Sequence, residues 1–518
     1  MLEFGVCMIK RAYLSIFAAG LTALVTTAAL AQKADDNVRI AVNDSFATLD
    51  GFHAPSDESS AFDRIVYLSL IGYDQKQKQW VPILAKSFKR IDNLTIEFEL
   101  REDVTFHNGN KFDAADVKGT LEYLADPALK IRFKSRYDWV KNVEILGPYK
   151  VRLHASRPVV MDYGFLSFRM RMRDIETMNA LEDKADYGKT AIGTGPYRVA
   201  SIDRNAGIML ERVENHFEGG HYYPAPVKKV RALFIPDRQT QVAQLMTGNL
   251  DLIRNITSDD EKNLATNPNL VVTPTGSEML LYTTFDAAGR SKNKAMMDAR
   301  VRKAFIMAID RDQLLKHLIP GGASAIKTNA ICFATSIACE TKTDVYPYNP
   351  AEAKRLMAEA GYANGFDLTL DVHEPVRYIA EALAGEVRKI GIRASIVSMP
   401  IALYVKRRGD GEFTAFTGFN PAGTHPDAAQ ILDFFFGADR DYWQDPMILK
   451  NIELGEAEFD DKKRTALYTP ILDKVNQEAY IFPISELPIV WAHHKDVVLK
   501  PNPLSNSLPM LGDYGWKK

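Results

Sequence analysis

The sequence predicts a mixed α/β protein built from more than one domain. A chain of 518 residues is too long for one ordinary hydrophobic core, and this length favours about two to four domains or subdomains. Short strand patterns alternate with capped helix patterns along the chain, which is typical of α/β architecture. Lys and Arg total 64 against 66 Asp and Glu, so the formal net charge of -2 gives no reason to expect nucleic acid or an anionic membrane surface as a partner.

Residues 1–31 have the order of a cleaved secretory signal peptide. Lys10 and Arg11 precede the apolar run AYLSIFAAGLTALVTTAALA, which closes with small residues. We therefore expect cleavage after Ala31 and export to the periplasm, with a permanent membrane anchor as the alternative. Cys7 lies before the apolar run and is not placed to carry a lipid after cleavage, so a lipoprotein is not expected.

Local patterns predict individual strands and helices. In TIEFELRE, Ile96, Phe98 and Leu100 alternate with polar residues, which predicts a strand with one buried face. Polar residues that can cap a helix open several predicted helices, at Asp113, Asp237, Asp298, Asp310 and Asn349.

The stretch FHNGNKFDAADVKGTLEYL, residues 106–124, raises the question of a catalytic or metal site because it holds one His, two Asp and one Glu. Asp113 and Asp116 stand at a predicted helix start, where the helix dipole favours negative charge. His107 precedes an Asn-Gly turn and has no ligand partner at metal spacing. These positions favour a scaffold role for the stretch.

Six further segments follow one another along the chain in a distinctive order. They are LREDVTFHNGNKFDAADV at 100–117, IGTGPYRV at 192–199, MTGNLDLI at 246–253, RVRKAFIMAIDRDQLL at 300–315, YPYNPAEAKRLMAEAGYANGF at 346–366 and IGIRASI at 390–396. Together they resemble the extracellular solute-binding proteins of the dipeptide, oligopeptide and nickel type, which are the receptors of ABC importers. The resemblance runs from about residue 38 to residue 490.

The resemblance implies an α/β, two-lobed periplasmic-binding-protein fold with three subdomains around a hinged cleft. Lobe I would hold residues 32–291 with an extra subdomain at about 66–188, lobe II would hold 292–487, and 488–518 would return to lobe I. The GTGPY segment would then be a scaffold turn. Its Gly-x-Gly followed by Pro lacks the third glycine and the helix start of a dinucleotide site.

The resemblance also implies a receptor that encloses a peptide or peptide-like solute and presents its closed form to a membrane permease with cytosolic ATPases. In peptide-binding members, an Asp four residues before the Pro of a D-x-x-[DE]-P segment grips the α-amino group of the ligand. The matching segment here has Ala422 at that position and His425 where an acidic residue is usual. Peptides are the first expectation, followed by an opine, a sugar conjugate or an N-blocked peptide.

Several polar residues around this segment are candidates for ligand contact. Asn420, Thr424 and His425 belong to one predicted loop. Asp427 either contacts the ligand or caps the helix DAAQILDFF, and both roles stay open. Arg377 either holds a ligand carboxylate or is a solvated residue on a helix face.

Two aromatic and two hydroxyl side chains complete the candidate set. Tyr442 and Trp443 either stack on the ligand or anchor the core, and the core role is favoured. Ser59 and Ser60 belong to a segment, NDSFATLDGFHAPSDESS, that resembles the part of the family lining the cleft.

Cys332 and Cys339 are the two cysteines left after signal cleavage. Export to an oxidising compartment favours a disulfide between them over two free thiols, and two cysteines alone are a poor zinc site. His493 and His494 are adjacent, so a strand would point them to opposite faces. We therefore expect no metal or other cofactor, with nickel or haem as a minor alternative ligand.

The chain carries no G-x-S-x-G elbow, P-loop, H-E-x-x-H motif or cysteine-nucleophile phrase, so an enzyme is not expected. A peptide-binding chaperone of the periplasm, using the same clamp without an importer, is the remaining alternative. A monomer is expected.

Overall fold

The computed structural model describes residues 33–43, 45, 47–53, 57–74, 77, 79–131, 134–217, 225–275, 279–291, 293–421, 427–499 and 514–518. The predicted signal peptide lies outside these residues. Within the described part of the chain, no helix is both long and apolar enough to span a bilayer.

The described residues form twenty strands. In chain order they are β1 Asn37–Val42, β2 Ile71–Asp74, β3 Gln79–Pro82, β4 Ala85–Asp92, β5 Thr95–Leu100, β6 Val140–Gly147, β7 Lys150–Ala155, β8 Tyr197–Asp203, β9 Gly207–Arg212, β10 Lys229–Phe234, β11 Leu252–Arg254, β12 Leu270–Thr275, β13 Met279–Phe285, β14 Phe366–His373, β15 Ile392–Met399, β16 Ala415–Pro421, β17 Ile481–Glu486, β18 Ile489–His494, β19 Val497–Leu499 and β20 Tyr514–Trp516.

The α-helices that carry the argument below are also numbered in chain order. They are α1 Asp57–Val66, α2 Ala114–Ala125, α3 Asp162–Phe168, α4 Ile175–Asn179, α5 Tyr187–Thr190, α6 Arg238–Met246, α7 Ser258–Leu264, α8 Ala299–Met307, α9 Arg311–Leu318, α10 Pro350–Glu359, α11 Arg377–Arg388, α12 Ile401–Gly409, α13 Ala428–Phe436, α14 Pro446–Glu456 and α15 Asp461–Gln477.

The predicted helix starts are confirmed. In each case the side chain of the predicted cap accepts a hydrogen bond from a backbone N–H in the first turn, which satisfies a donor that the helix itself leaves unpaired. The confirmed caps are Asp113 for α2, Asp237 for α6, Asp298 for α8, Asp310 for α9 and Asn349 for α10.

Three larger sheets organise the described chain. A seven-stranded sheet has the order β12-β18-β11-β1-β10-β9-β8, and a five-stranded sheet has the order β15-β14-β16-β13-β17. A four-stranded antiparallel sheet, β4-β5-β7-β6, forms a separate core with α2. The predicted strand β5 alternates buried and less buried residues, because only one of its faces packs on that core.

Two neighbouring connections join the seven-stranded sheet to the five-stranded sheet. Strand β12 ends at Thr275, opposite Ile489 of β18, whereas β13 places Leu280 opposite Glu486 of β17. The chain therefore passes from one sheet to the other between Thr275 and Met279, and returns at 487–488. Strand β13, which falls inside the range predicted for the first lobe, pairs entirely with the five-stranded sheet because the chain has already crossed.

The GTGPY segment packs against the end of α1. An added Cβ at Gly193 would lie 1.9 Å from the carbonyl oxygen of Val66, and one at Gly195 would lie 2.0 Å from that of Ile65. The ring of His107 accepts a hydrogen bond from the Gly193 N–H and lies 2.9 Å from the Gly195 carbonyl oxygen. Burial lowers the pKa of His107 to about 4, so the ring is neutral at pH 7.

We expect Gly195→Ala to lower the free energy of unfolding by about 1–3 kcal/mol, because a side chain there must displace backbone. Urea unfolding followed by circular dichroism measures the loss. Gly147→Ala is the matched control, since a Cβ at that position meets nothing within 4 Å. Equal midpoints for the two variants would show that the close approach at Gly195 is not needed.

Candidate functional site

The five-stranded sheet brings several chain segments to one edge. Strands β14, β15 and β16 are parallel and end there at His373, Met399 and Pro421. The antiparallel strands β13 and β17 reach the same edge with Met279 and Glu486. In open α/β sheets, ligands bind outside the carboxyl ends of the parallel strands, so this edge is the first place to look for a site.

The seven-stranded sheet presents a matching edge. Its parallel strands β1, β10 and β11 end at Val42, Phe234 and Arg254. Strand β18 begins and β12 ends at this same edge, since Arg254 pairs with Trp491 two residues from the start of β18. The carboxyl edges of both sheets therefore face the two connections, and the space between them is called the candidate cleft below.

Two predicted ligand residues lie at the five-stranded edge. Asn420 is the last residue but one of β16 and is half-buried. Arg377 is the first residue of α11, which follows β14, and its exposed guanidinium donates to the Glu381 carboxylate at 2.9 Å. Arg377 thus lies near the cleft and is paired with Glu381, an exposed residue of the same helix.

Asp427 has two structural partners. Its carboxylate accepts a hydrogen bond of 2.8 Å from the Ala429 N–H as the cap of α13, and it pairs with Arg464 at 2.7 Å. Both Asp427 and Arg464 are buried. The capping role that the sequence left open is therefore present.

Other predicted ligand residues either lie outside the described residues or are buried in the protein. Thr424 and His425 lie outside the described residues, as do the neighbouring Ala422 and the side chain of Ser60. Ser59 lies on the buried face of α1 and is 3% exposed.

Tyr442 and Trp443 are packed in the core beside the five-stranded sheet, each 5% exposed. The Tyr442 hydroxyl donates to the Arg408 carbonyl at 2.9 Å, and the Trp443 indole N–H donates to the Tyr480 carbonyl at 3.1 Å. Both polar ends are thus satisfied by backbone, as expected for aromatic residues that anchor a core.

Cys332 and Cys339 are joined by a disulfide with an S–S distance of 2.01 Å. The loop that it closes contacts the start of α13, because the Ala428 N–H donates to the Ile337 carbonyl at 2.9 Å. The disulfide therefore holds a loop directly beside Asp427.

Arg90 of the four-stranded sheet contacts the segment between α14 and α15. Its guanidinium donates to both carboxylate oxygens of Asp162, at 2.7 and 2.8 Å, and stacks over the Phe459 ring at 4.3 Å from the centroid. Val160 and Met161 pack against the apolar cluster of the opposite side. These contacts join the four-stranded-sheet region to the apolar cluster beside the five-stranded sheet.

A cavity of about 180 Å³ lies at this contact. Residues from both sides line it, namely Trp80, Arg90, Val160, Met161, Tyr163, Gly164, Ile337, Asp427, Phe459, Asp461 and Arg464. Apart from Asp427, sequence reasoning singled out none of these residues, because they are brought together only by the packing of distant segments.

Sequence reasoning also missed Glu486. It is the last residue of β17 and is half-buried at the edge of the candidate cleft. A single acid inside the apolar stretch IFPISELPIVW was the available signal.

The adjacent His493 and His494 make separate contacts. The His493 ring bonds the Thr273 hydroxyl at 2.9 Å, whereas the His494 ring accepts from the Asp496 N–H at 3.2 Å. Among the described residues, no group of three or more His, Cys, Asp and Glu is placed to hold a metal ion.

Comparisons with known proteins agree with this architecture. The chain is 26% identical over 504 residues to the glutathione-binding protein GsiB of Shigella dysenteriae, covering 92% of this chain and 93% of that protein. Its fold matches the substrate-binding protein CtaP of Listeria monocytogenes with a TM-score of 0.81 at 20% identity, over 93% and 99% of the two chains. It matches DppA of Helicobacter pylori, solved with the peptide STSA, with a TM-score of 0.73 at 21% identity, over 93% and 98%.

These matches confirm the predicted two-lobed α/β fold and the family resemblance. Residues 79–443, well over half of the chain, match the family described as bacterial extracellular solute-binding proteins, family 5 Middle. The chain belongs to the family 5 bacterial extracellular solute-binding proteins.

Proposed function

We propose that this protein is the receptor of an ABC importer that captures a peptide or peptide-like solute between two lobes and delivers it to a membrane permease. The observation that carries the proposal is that two adjacent connections join the carboxyl edges of two separate sheets. Such an arrangement lets two rigid bodies close around a ligand by changing a few backbone torsions.

The proposed hinge sets the lobe boundaries. The first lobe consists of the seven-stranded sheet with the extra subdomain at about 66–188, and the C-terminal residues 488–518 return to it. The second lobe begins after 276–278, where β13 enters the five-stranded sheet, rather than at 292. Arg90 of the extra subdomain already stacks over Phe459 of the second lobe, and opening of the cleft would separate the two residues.

The relatives support the ligand class. The matched GsiB proteins are named for glutathione, a peptide-like solute, and the matched DppA structure holds a tetrapeptide. We propose that this chain likewise binds peptides or peptide-like solutes, acts as a monomer in the periplasm after signal cleavage, and hydrolyses nothing itself. Cytosolic ATPases bound to the permease would supply the work of transport.

Native mass spectrometry of protein purified from the periplasm tests the proposal. A bound peptide or glutathione-like mass is expected, and small-angle scattering should show a more compact particle with that solute than after its removal. Turnover of peptide or ATP by the pure protein, or a scattering profile unchanged by solute, would contradict the receptor mechanism.

A further inference from the structure

A carboxyl group that has no partner among the described residues lies at the edge of the candidate cleft. Glu486 ends β17, and among the described residues none donates a hydrogen bond to its carboxylate or forms an ion pair with it. Its backbone N–H is used, since it donates to the Ile326 carbonyl at 2.8 Å. Burial raises the pKa of the Glu486 carboxyl to about 7.

Other buried carboxyl groups of the protein have protein partners. Asp162 is paired with Arg90, and Asp371 is paired with Arg407 at 2.6 Å. Withdrawing a carboxylate from water costs free energy unless a hydrogen bond or an opposite charge compensates. Glu486 is therefore placed to take a cationic partner from outside the described chain.

The strand register puts this carboxylate beside a predicted ligand residue. Leu280 of β13 pairs with Glu486 on one side and with Asn420 on the other. Residues directly opposite one another in antiparallel strands point to the same face of a sheet. The Glu486 and Asn420 side chains thus share one face at the cleft edge, with their Cα atoms about 10 Å apart across two strand spacings.

We propose that the Glu486 carboxylate is the counter-ion for the free amino group of the bound peptide. The inference rests on the proposed peptide-receptor function and adds a specificity residue to it. An ammonium group offers three N–H donors and one positive charge, which a half-buried carboxylate can bind strongly. Ala422 has no group that could do so.

The test compares the mature wild-type protein with Glu486→Gln after both have been unfolded and refolded to release bound solutes. Each is titrated with a library of free tripeptides and with the same library after N-acetylation, and bound peptides are quantified by native mass spectrometry. Wild-type protein should prefer the free peptides. Glu486→Gln should bind them about 10- to 100-fold more weakly and lose the preference, because a charge-assisted contact is gone.

Glu374→Gln is the matched control, because Glu374 follows β14 at the same sheet edge but is exposed. It should leave the preference unchanged. Thermal unfolding of Glu486→Gln should not begin earlier than that of the wild type, whereas a structural role for Glu486 would lower its midpoint. This readout separates ligand binding from folding.

Two results would overturn the inference, and they differ in their meaning. If wild type and Glu486→Gln prefer free peptides equally, or neither distinguishes the acetylated library, Glu486 does not bind the amino group while the peptide receptor stands. If wild-type protein binds neither library, the proposed function fails together with the inference.

Discussion

Asp63→Asn is expected to lower the free energy of unfolding by about 3–5 kcal/mol, the largest effect that we predict for a single change. The Asp63 carboxylate is fully buried and pairs with Arg171 at 2.6 Å and with Arg173 at 3.2 Å. The amide keeps the volume of the side chain but removes the paired charge from two buried guanidinium groups, and among the described residues only Arg173 keeps a second carboxylate, Asp50, nearby. Urea unfolding at pH 7.5 measures the loss.

The position of this network explains why the loss should be large. Asp63 belongs to α1 in the core of the seven-stranded sheet, whereas Arg171 and Arg173 lie in the chain that returns from the four-stranded-sheet region. The Arg173 guanidinium also lies 3.4 Å from the centroid of the Tyr67 ring. The Arg173 guanidinium therefore cannot become solvated without losing its contact with the Tyr67 ring.

Asp103→Asn is the control for the Asp63 prediction. Asp103 pairs with Arg101 at the protein surface, where solvent screens the attraction, so the change should alter stability by no more than about 0.5 kcal/mol. If Asp63→Asn cost no more than this control, the two arginines would have to find other partners in the folded protein.

Helix starts were predictable from the sequence because capping is local. Asp113 and Asn349 bond backbone groups only two or three residues away, so the residue type and its position carry the information. The crossing of β13 into the five-stranded sheet was not predictable in this way. Its partners β16 and β17 lie far along the chain, and no local pattern specifies which sheet a strand joins.

The same contrast between local sequence information and long-range packing applies to the candidate site. The sequence directed attention to Asn420 and Arg377, and both lie at the edge of the five-stranded sheet. It favoured the core over a cleft wall for Tyr442 and Trp443 but left both open, because aromatic residues suit both, and the structure packs the two side chains in the core. Glu486 was missed because what distinguishes it is the lack of a partner among the residues that the structure describes, which only the arrangement of neighbouring strands reveals.

Asp427→Ala is expected to lower the free energy of unfolding by about 3 kcal/mol. The change removes the cap of α13 and leaves the buried Arg464 with Asp461 as its remaining carboxylate, at 2.6 Å. Asp310→Ala removes a helix cap that forms no ion pair with any described residue, so it should cost only about 1 kcal/mol. The difference between the two variants measures the contribution of the Asp427–Arg464 pair.

The same variant separates the two roles that the sequence left open for Asp427. Because its carboxylate already bonds the Ala429 N–H and Arg464, Asp427→Ala should change the affinity for free tripeptides by less than about threefold when measured well below its unfolding temperature. A loss as large as that expected for Glu486→Gln, in protein that is still folded, would instead place Asp427 in contact with the ligand. Stability and affinity would then depend on one carboxylate, and the cavity beside Arg464 would be part of the binding site rather than of the scaffold.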